Sequence, residues 1–380
     1  MHANKVIIVG AGLSGLTAAW RLNKAGIDFR LFDARAHPGG RCRTIDIDGH
    51  KFDMGPSWFW PGQPQILNLL QQFDLSYFEQ YSSGQLLAQY SRGQVHKIDQ
   101  THPMTGALRI GRGAEALTNA LYGSLPAENV FLGAEVTGMS LTGDLVQVHA
   151  VQDGNEIAAE GDICAVAVPP RLACGLSYQP SLPEPVMGLL GRTPTWMAPH
   201  AKVLAVYEQP FWCHQGLSGG GLSMQGPLAE FHDASPSDGE IGAILGFVKF
   251  DAAKRESLGK QALEDLVIRQ LGALFGPDGA NPLSIHMLDW SNETHCASPE
   301  DRKPVSNPSL YGRIRDWTPI WDDRLHFIAT EASRTNGGLM EGAIESALLF
   351  CDSVTQTGKP GAAQTTGANP RTANMSWEFD

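Results

Sequence analysis

The sequence predicts an α/β fold with a Rossmann-like domain at its beginning, and three features of the first residues support this. The short apolar strand KVIIVG leads directly into the glycine-rich turn GAGLSG. LTAAWRLNKAG follows with apolar residues at helical spacing, and DFRLFDA then has the pattern of a second apolar strand. Because a strand, a helix and a strand in this order form the unit of a parallel sheet, we expect such a sheet here.

Regular elements are also predicted further along the chain. Apolar residues recur at helical spacing in 64–73 and 260–276, and alternation of apolar and polar residues in 129–169 predicts β-hairpins. The segment 324–354, RLHFIATEASRTNGGLMEGAIESALLFCDSV, predicts a strand, a glycine-containing loop and a helix that begins near Leu339. The segment 357–380 is rich in Gly, Pro, Thr and Asn, which predicts a disordered tail.

Bulk composition restricts the class of protein. With 380 residues, of which 42% are hydrophobic and 18% charged, the chain has ordinary globular composition and room for two domains. A net charge of −12 argues against a nucleic-acid partner. No apolar run approaches the roughly 18 residues of a membrane span, and the chain enters a strand too early for a signal peptide. We therefore expect neither a nucleic-acid nor a membrane partner.

The six cysteines form no CxxC pair and show no zinc-like spacing. This pattern suits a reducing compartment and gives no indication of a metal site. Together with the composition, it predicts a cytoplasmic location. The sequence leaves the oligomeric state open, and a homodimer is one alternative.

The turn GAGLSG carries the glycine pattern of dinucleotide-binding proteins. Gly10 permits the tight turn, Gly12 lets the backbone approach a pyrophosphate, and Gly15 allows close packing of helix and strand. The helix N-terminus adds positive potential for phosphates. Asp33 ends the second strand, where a carboxylate accepts hydrogen bonds from a ribose. A glycine-rich turn alone is weak evidence, but the strand, helix and acid together predict a dinucleotide site.

The residues after Asp33 resemble a known flavoprotein family. ARAHPGGRCRT places a flexible turn and a cation beside the pyrophosphate site, and DMGPSWFWPG follows. The order of GxGxxG, acid and GGR turn is similar to that of the flavin-containing monoamine and polyamine oxidases. The resemblance implies FAD contacts in these two segments at Arg35, Gly40, Arg41, Gly55, Pro56 and Ser57. Pro56 replaces a glycine of the family and removes a backbone N–H.

The resemblance extends over nearly the whole chain. GAEVTGMSL is similar to the strand that carries a valine against the adenine, which would be Val136. FIATEASRTNGGLMEGAIESA is similar to the closing motif of the family, and it implies cofactor contacts from Glu331, Leu339 and Met340. A helix beginning there would aim its free N–H groups at the pyrimidine side of the flavin, which carries negative charge when reduced.

Lys202 lies in the apolar segment HAKVLAVYEQPFW, on one face of a predicted strand with Leu204 and Val206. On these residues alone, a solvated lysine at a sheet edge is the simpler interpretation. The family, however, has a lysine ten residues before the Trp of a PFW sequence, and Lys202 and Trp212 have that spacing. The resemblance implies that Lys202 orders a water against flavin N5, with a pKa lowered by partial burial. We predict that Lys202 is the catalytic residue.

The substrate side departs from the amine oxidases. Two facing aromatic rings of the family would fall at Leu339 and in the loop after Trp290, and neither place holds an aromatic residue. We expect the substrate pocket to be formed by Leu339, Trp290, Trp58 and Trp60, with Trp196 as a further candidate for a replacement ring. Core packing is the competing explanation for each tryptophan taken singly.

The predicted reaction is FAD-dependent oxidation of an amine C–N bond to an imine, with hydride transfer to flavin N5. Oxygen would reoxidise the flavin and yield hydrogen peroxide, so the expected partners are a small-molecule amine and oxygen. Cys296 is poorly placed for the covalent flavin link of some family members, so we expect non-covalent FAD. Two alternatives stay open: a desaturase or protoporphyrinogen-oxidase-like enzyme acting on C–C bonds, and a flavin-binding protein without a redox role.

The resemblance also implies a two-domain organisation. A Rossmann-like FAD-binding domain of the glutathione-reductase type would be assembled from 1–57, 105–172 and 315–356. A smaller substrate-binding domain of mixed sheet and helices would comprise 58–104 and 173–314.

Overall fold

The computed structural model describes residues 5–90, 93–303, 310–317 and 319–356. The helices are α1 Leu13–Lys24, α2 Pro64–Gln72, α3 Ala114–Gly123, α4 Pro170–Cys174, α5 Glu184–Arg192, α6 Phe211–His214, α7 Ala252–Leu258, α8 Lys260–Phe275 and α9 Met340–Gln356. The strands are β1 Lys5–Val9, β2 Asp28–Asp33, β3 Thr44–Ile47, β4 His50–Asp53, β5 Tyr77–Glu79, β6 Gln85–Gln89, β7 Val95–Ile98, β8 Leu108–Ile110, β9 Val130–Leu132, β10 Ala134–Thr142, β11 Leu145–Gln152, β12 Asn155–Gly161, β13 Ile163–Val166, β14 Ser177–Gln179, β15 Ala201–Tyr207, β16 Leu217–Ser223, β17 Leu228–Asp233, β18 Gly242–Val248, β19 Ser284–Asp289 and β20 Leu325–Phe327. The predicted tail, 357–380, lies outside the described residues.

A parallel sheet with the strand order β20-β13-β1-β2-β9 is the base of the nucleotide-binding half. Val9 pairs with Phe32 of β2 and with Val166 of β13, so the carboxyl ends of these three strands lie at one edge. Helices α1 and α9 pack together over one face, in a core that includes Leu16 and Ile344. The predicted strand–helix–strand unit and the α/β fold class are confirmed.

The turn between β1 and α1 is closed by direct backbone contact. Gly10 has a φ of 104°, in the left-handed region that favours glycine. A Cβ at Gly15 would lie 1.8 Å from the carbonyl oxygen of Gly10, so a larger residue there would push the helix away. The first turn of α1 therefore lies directly against the end of β1.

The predicted hairpins form a second sheet, in the order β12-β11-β10-β14. Strand β14 pairs in parallel with β10, and α5 packs on α4, so 173–192 lies with the nucleotide-binding half. Helix α2 likewise packs on α9 and contributes to the core that contains Leu16. Both segments differ from the predicted boundaries, which assigned them to the substrate domain. The division into two domains itself remains a prediction.

A mixed sheet in the order β19-β15-β18-β17-β16-β6-β7 forms the other half. Strand β15 is hydrogen-bonded on both sides, to β18 and β19, and all of its residues are buried. Val203 faces the core beneath α8, whereas Leu204 faces a cluster with Phe52 and Met54. Lys202 is on the side of Leu204, because side chains alternate along a strand. The lysine therefore lies in the interior of the sheet.

Within the described residues, no helix is long and apolar enough to cross a membrane. The cysteines are free thiols, and those at positions 42, 164, 296 and 351 are buried.

Helix α2 begins on a carboxylate from the far end of the chain. The backbone N–H groups of Gln65 and Ile66 donate to the two oxygens of Glu341, each at 2.9 Å. The side chain is buried, with 2% of the residue exposed. Burial raises the pKa of Glu341, and the two N–H donors oppose that rise. A carboxylate bound in this way satisfies the otherwise free N–H groups of the first turn.

Glu341→Gln should lower the free energy of unfolding by about 2 kcal/mol, because an amide replaces one acceptor by a donor beside a buried N–H. Urea denaturation measures the change. Glu128→Gln, at an exposed position, is the control and should leave the midpoint unchanged. Equal midpoints for the two variants would show that the carboxylate does not stabilise α2.

Candidate active site

A cavity lies where the carboxyl ends of β1 and β2 meet the first turns of α1 and α9 and the buried lysine of β15. The predicted site residues that line it are Gly10, Gly12, Asp33, Arg35, Gly40, Arg41, Gly55, Pro56, Ser57, Trp58, Trp60, Lys202, Trp290, Leu339 and Met340. Three predicted residues, Gly15, Val136 and Glu331, are not among the lining residues. Gly15 lies behind Gly10, and Val136 is packed in the core between the first two sheets, so its adenine contact stays a prediction.

The nucleotide end of the cavity is built from backbone and one acid. Asp33 accepts hydrogen bonds from the amides of Ala11 at 2.7 Å and Arg35 at 2.9 Å. A Cβ at Gly40 would lie 2.8 Å from the Cα of Gly12, so the GGR turn touches the glycine-rich turn. No side chain of the described residues caps the N-terminus of α1, and its first turn contains no acidic residue. The free N–H groups therefore face the cavity as an anion site.

The side chain of Arg35 indicates whether the Asp33 end of the cavity fits a dinucleotide. Its Nε is buried 3.9 Å from Asp33 Oδ1 and has no hydrogen-bond partner among the described residues. A buried guanidinium donor without a partner is costly unless a bound molecule accepts from it. With the uncapped helix and the paired glycines, this donor fits the pyrophosphate and ribose of FAD.

Arg41 is held in place by an acid from the closing motif. Its guanidinium donates to Glu331 Oε1 at 2.5 Å and to Oε2 at 3.2 Å, a bidentate pair. Glu331 is 1% exposed. Burial lowers the pKa of Arg41, but the attraction of Glu331 outweighs burial and the net shift is upward. Arg41 thus keeps its charge at the cavity wall, and Glu331 acts by positioning it.

The segment around Gly55 runs along the cavity in close contact with the GGR turn. A Cβ at Gly55 would lie 2.1 Å from the carbonyl oxygen of Arg41, so only glycine fits. Trp290 Nε1 donates to the carbonyl oxygen of Met54 at 2.9 Å and fixes the segment from the other side. Pro56 lines the cavity without an N–H to donate, so its contact with the flavin stays a prediction.

Lys202 reaches this segment from β15. Its Nζ donates to the carbonyl oxygen of Gly55 and, at 3.1 Å, to Ser57 Oγ. Nζ also lies 5.6 Å from the ring centre of Trp58 and 5.2 Å from that of Phe247. The residue is 5% exposed and its strand is interior, so the solvated-edge interpretation is wrong.

The pKa of the Lys202 ammonium group lies near physiological pH. Burial lowers its pKa to about 8, the carboxyl of Asp53 opposes that shift, and the guanidinium of Arg109 adds to it. Below that pH the group is mainly a cation, and above it mainly a neutral amine. A buried group with this pKa can hold or release a proton near physiological pH.

Aromatic side chains form the part of the cavity wall beside Lys202. Trp58 donates through Nε1 to Gln80 Oε1 at 2.7 Å, and its ring lies 6.3 Å from that of Phe247. Trp60 is 37% exposed and Trp196 is 40% exposed, so both reach the mouth of the cavity. Phe247 and Gln80 are not among the residues predicted from the sequence. Phe247 pairs with Lys202 across β15 and β18, a register that the residue pattern of either strand alone does not reveal.

Cys296 lines the cavity and is 3% exposed. Burial raises the pKa of its thiol, so the reactive thiolate is disfavoured at neutral pH. Within the described part of the chain, no group of His, Cys, Asp and Glu is arranged to hold a metal ion.

Comparison with known proteins identifies the family to which the chain belongs. Residues 77–355 match the model of flavin containing amine oxidoreductases, and 8–73 match that of an NAD(P)-binding Rossmann-like domain. The probable flavin-containing monoamine oxidase A of Dictyostelium discoideum is 23% identical to this chain, over 90% of this chain and 95% of that protein. Wild-type putrescine oxidase bound to putrescine superposes with a TM-score of 0.80 at 21% identity, covering 93% of this chain and 99% of that one. Cyclohexylamine oxidase from Brevibacterium oxydans gives 0.82 at 18% identity, with the same coverage.

Fold and site together define a flavoprotein oxidoreductase with a Rossmann-like nucleotide site. The chain belongs to the flavin-containing amine oxidoreductase family, because that family model matches most of its length. Its cofactor is FAD, and its reaction is the oxidation of amines. The alternatives acting on C–C bonds, or without a redox role, receive no support from the comparisons.

The purified protein should be yellow and should release its FAD on acid precipitation, because Cys296 is a buried thiol with a raised pKa rather than an activated nucleophile. The absorbance spectra of the supernatant and the pellet measure the release. Yellow colour that stays in the pellet would demonstrate a covalent link.

Proposed function

We propose that the protein oxidises a C–N bond of a hydrophobic amine to the imine, with oxygen as the electron acceptor and hydrogen peroxide as the second product. The observation that carries this proposal is the buried Lys202 ammonium, bound to Gly55 and Ser57 at the cavity wall. FAD, when bound, supplies the acceptor for the hydride that leaves the carbon bearing the amine. Small-molecule amine and oxygen are the partners that this reaction needs.

Lys202 is proposed to act on the oxygen side of turnover. Its two protein acceptors leave one of the three ammonium donors available to order a water. A cation in a low-dielectric cavity stabilises negative charge as oxygen is reduced, and the apolar rings of Trp58 and Phe247 exclude other water from it. No acid–base side chain is required for the amine itself, since a neutral amine can enter directly.

The lining of the cavity supports a hydrophobic monoamine as substrate. Trp58, Trp60, Phe247 and Leu339 contribute apolar surface. Among the described lining residues the carboxylate is that of Asp33, and both of its oxygens accept backbone N–H groups at the nucleotide end. A diamine would bring a second ammonium group to a wall without an anionic partner, which is unfavourable. We therefore infer a preference for bulky, ring-bearing secondary amines over small primary amines and diamines.

Lys202→Met should retain FAD but slow the oxygen-dependent half of turnover by about 10²-fold, the typical effect of losing one preorganised charge-stabilising group. In the native protein that rate should fall as pH rises through about 8, because the ammonium is lost. The variant should show no such pH dependence. Stopped-flow mixing of the reduced protein with oxygen measures both.

The control for Lys202→Met is Lys260→Met, whose side chain is 74% exposed and which should behave as the native protein. A native rate in the Lys202 variant would remove the lysine from the mechanism.

Leu339→Tyr should shift the ratio of kcat/KM towards small primary amines. The leucine lines the cavity beside the start of α9, where it leaves room for a bulky carbon skeleton and lacks a π face. Steady-state kinetics with a benzylamine-sized primary amine and a bulky cyclic secondary amine measure the ratio. A native preference for the small amine, or an unchanged ratio in the tyrosine variant, would contradict the proposed substrate class.

A further inference from the structure

The indole ring of Trp58 is a part of the cavity wall that a bound molecule can touch. Trp58 lines the cavity and is partly exposed. The Nζ atom of Lys202, another lining residue, lies 5.6 Å from the centre of its ring. A flat side chain binds a ligand best when it is already held in its bound orientation, because ordering it on binding costs free energy. The groups that orient this ring therefore influence binding.

Gln80 holds the polar end of the Trp58 ring. The indole Nε1 of Trp58 donates to Gln80 Oε1 at 2.7 Å, and Gln80 is 2% exposed. The Nε2 atom of Gln80 donates to the carbonyl oxygens of Asp233 at 2.9 Å and Tyr81 at 3.0 Å. An indole N–H can only donate and a carbonyl oxygen can only accept, so these three bonds permit one orientation of the amide. The amide oxygen of Gln80 is thus directed at Trp58.

The backbone that holds Gln80 is itself anchored. Its own amide N–H donates to the carbonyl oxygen of Ala107 at 2.8 Å. The carboxylate of Asp233, which is 2% exposed, accepts from Trp212 Nε1 at 2.8 Å and from the amide of Ser235 at 3.0 Å. The acceptor for the indole N–H is therefore in place before any ligand binds. Support of this kind is typical of groups that position a binding residue.

Ring packing alone does not choose the orientation of Trp58. The ring of His232 lies 5.1 Å away at an angle of 71°, and that of Phe247 lies 6.3 Å away. These contacts confine the ring, but the χ2 angle of a tryptophan has two broad minima that differ by a flip of the ring. The flip would carry Nε1 away from Gln80 and leave a buried amide oxygen unpaired. The hydrogen bond therefore selects one of the two orientations.

We propose that Gln80 is a positioning residue for the substrate, which holds the Trp58 ring in the orientation against which a bulky, ring-bearing amine packs. The inference rests on the proposed function, because it requires that such an amine binds beside Trp58. Gln80 itself is not among the described residues that line the cavity, so it acts through the indole ring. A bulky amine buries more apolar surface against that ring than a short alkyl amine does, so it depends more on the orientation of the ring.

Gln80→Met should raise the KM for a bulky cyclic secondary amine about tenfold, the effect expected when one buried hydrogen bond is lost. The kcat should stay within about twofold, because the ring contributes to binding and not to the chemical step. The KM for a short alkyl primary amine should change less than about twofold. Steady-state kinetics of the holoprotein measure these constants, with competitive inhibition used where turnover of the short amine is slow.

Gln270→Met is the matched control. The side chain of Gln270 makes an equivalent set of bonds: its Oε1 accepts from the amide of Leu228 at 2.7 Å, and its Nε2 donates to the carbonyl oxygens of Gln225 and Leu228. Gln270 is 5% exposed and, like Gln80, is not among the described lining residues. The two Met variants should lower the melting temperature by similar amounts, but Gln270→Met should keep the native KM for both amines.

Gln80→Glu separates binding from stability. A buried carboxyl group favours its neutral form, which offers one acceptor and one donor in place of the amide. This variant loses one of the two Nε2 bonds and should melt below the native chain. It keeps an acceptor for the indole N–H, so its KM for the bulky amine should stay within about threefold of the native value.

Two further measurements test whether Gln80 acts through Trp58. Trp58→Phe keeps a ring but has no indole N–H, so Gln80→Met should add no further rise in KM in that background. The indole ¹H–¹⁵N signal of Trp58, assigned by its loss in Trp58→Phe, should exchange with solvent faster in Gln80→Met than in the native chain and in Gln270→Met. This exchange needs neither substrate nor turnover.

The outcomes distinguish positioning from a structural role. A native KM for the bulky amine in Gln80→Met overturns the proposal, and so do equal rises for both amines or the same rise in Gln270→Met. Additive effects in the double variant would show that Gln80 does not act through Trp58. If the native chain oxidises no amine, the proposed function fails, while native indole exchange in Gln80→Met would overturn the role of Gln80 separately.

Discussion

Direct contact between backbone segments is the constraint on which this site depends. Glycine at positions 15, 40 and 55 lets α1 touch β1, the GGR turn touch the glycine-rich turn, and the cavity segment touch Arg41. Any side chain at these points would push the segments apart and move the groups that they carry. The carbonyl oxygen of Gly55 is one of those groups, so the placement of Lys202 depends on a packing contact of the nucleotide-binding half.

Buried charge is the second feature of the site, and its two cations, Arg41 and Lys202, are held in different ways. Arg41 has Glu331 as a bidentate partner, whereas Lys202 has neutral acceptors and only the longer-range attraction of Asp53. Asp53 accepts from Thr44 Oγ1 at 2.7 Å and from the amide of Ala114 at 2.8 Å, which holds it in place. The difference matters for function. An arginine with a tightly bound acid keeps a fixed charge for an anionic ligand, while a lysine without one can change its protonation near neutral pH.

The fold of this chain is shared with known structures, whereas the lining of its cavity is known from this chain alone. The overall architecture is shared with structures at 18–21% identity, which fits a fold held by glycine contacts. The proposed substrate wall has Leu339 at the start of α9 and aromatic rings at Trp58, Phe247 and Trp60. A cavity surface can change without disturbing the backbone contacts beneath it.

The sequence by itself determined the strand–helix–strand unit, the hairpins, α8 and the start of α9, because turn chemistry and residue period are local properties. It also singled out Lys202, through a spacing shared with a family. Only the tertiary structure decided that this lysine is interior and that Glu341 begins a helix hundreds of residues earlier. These facts depend on contacts between segments far apart in the chain. No local pattern records such contacts, because the same residues would satisfy the same period in a different packing.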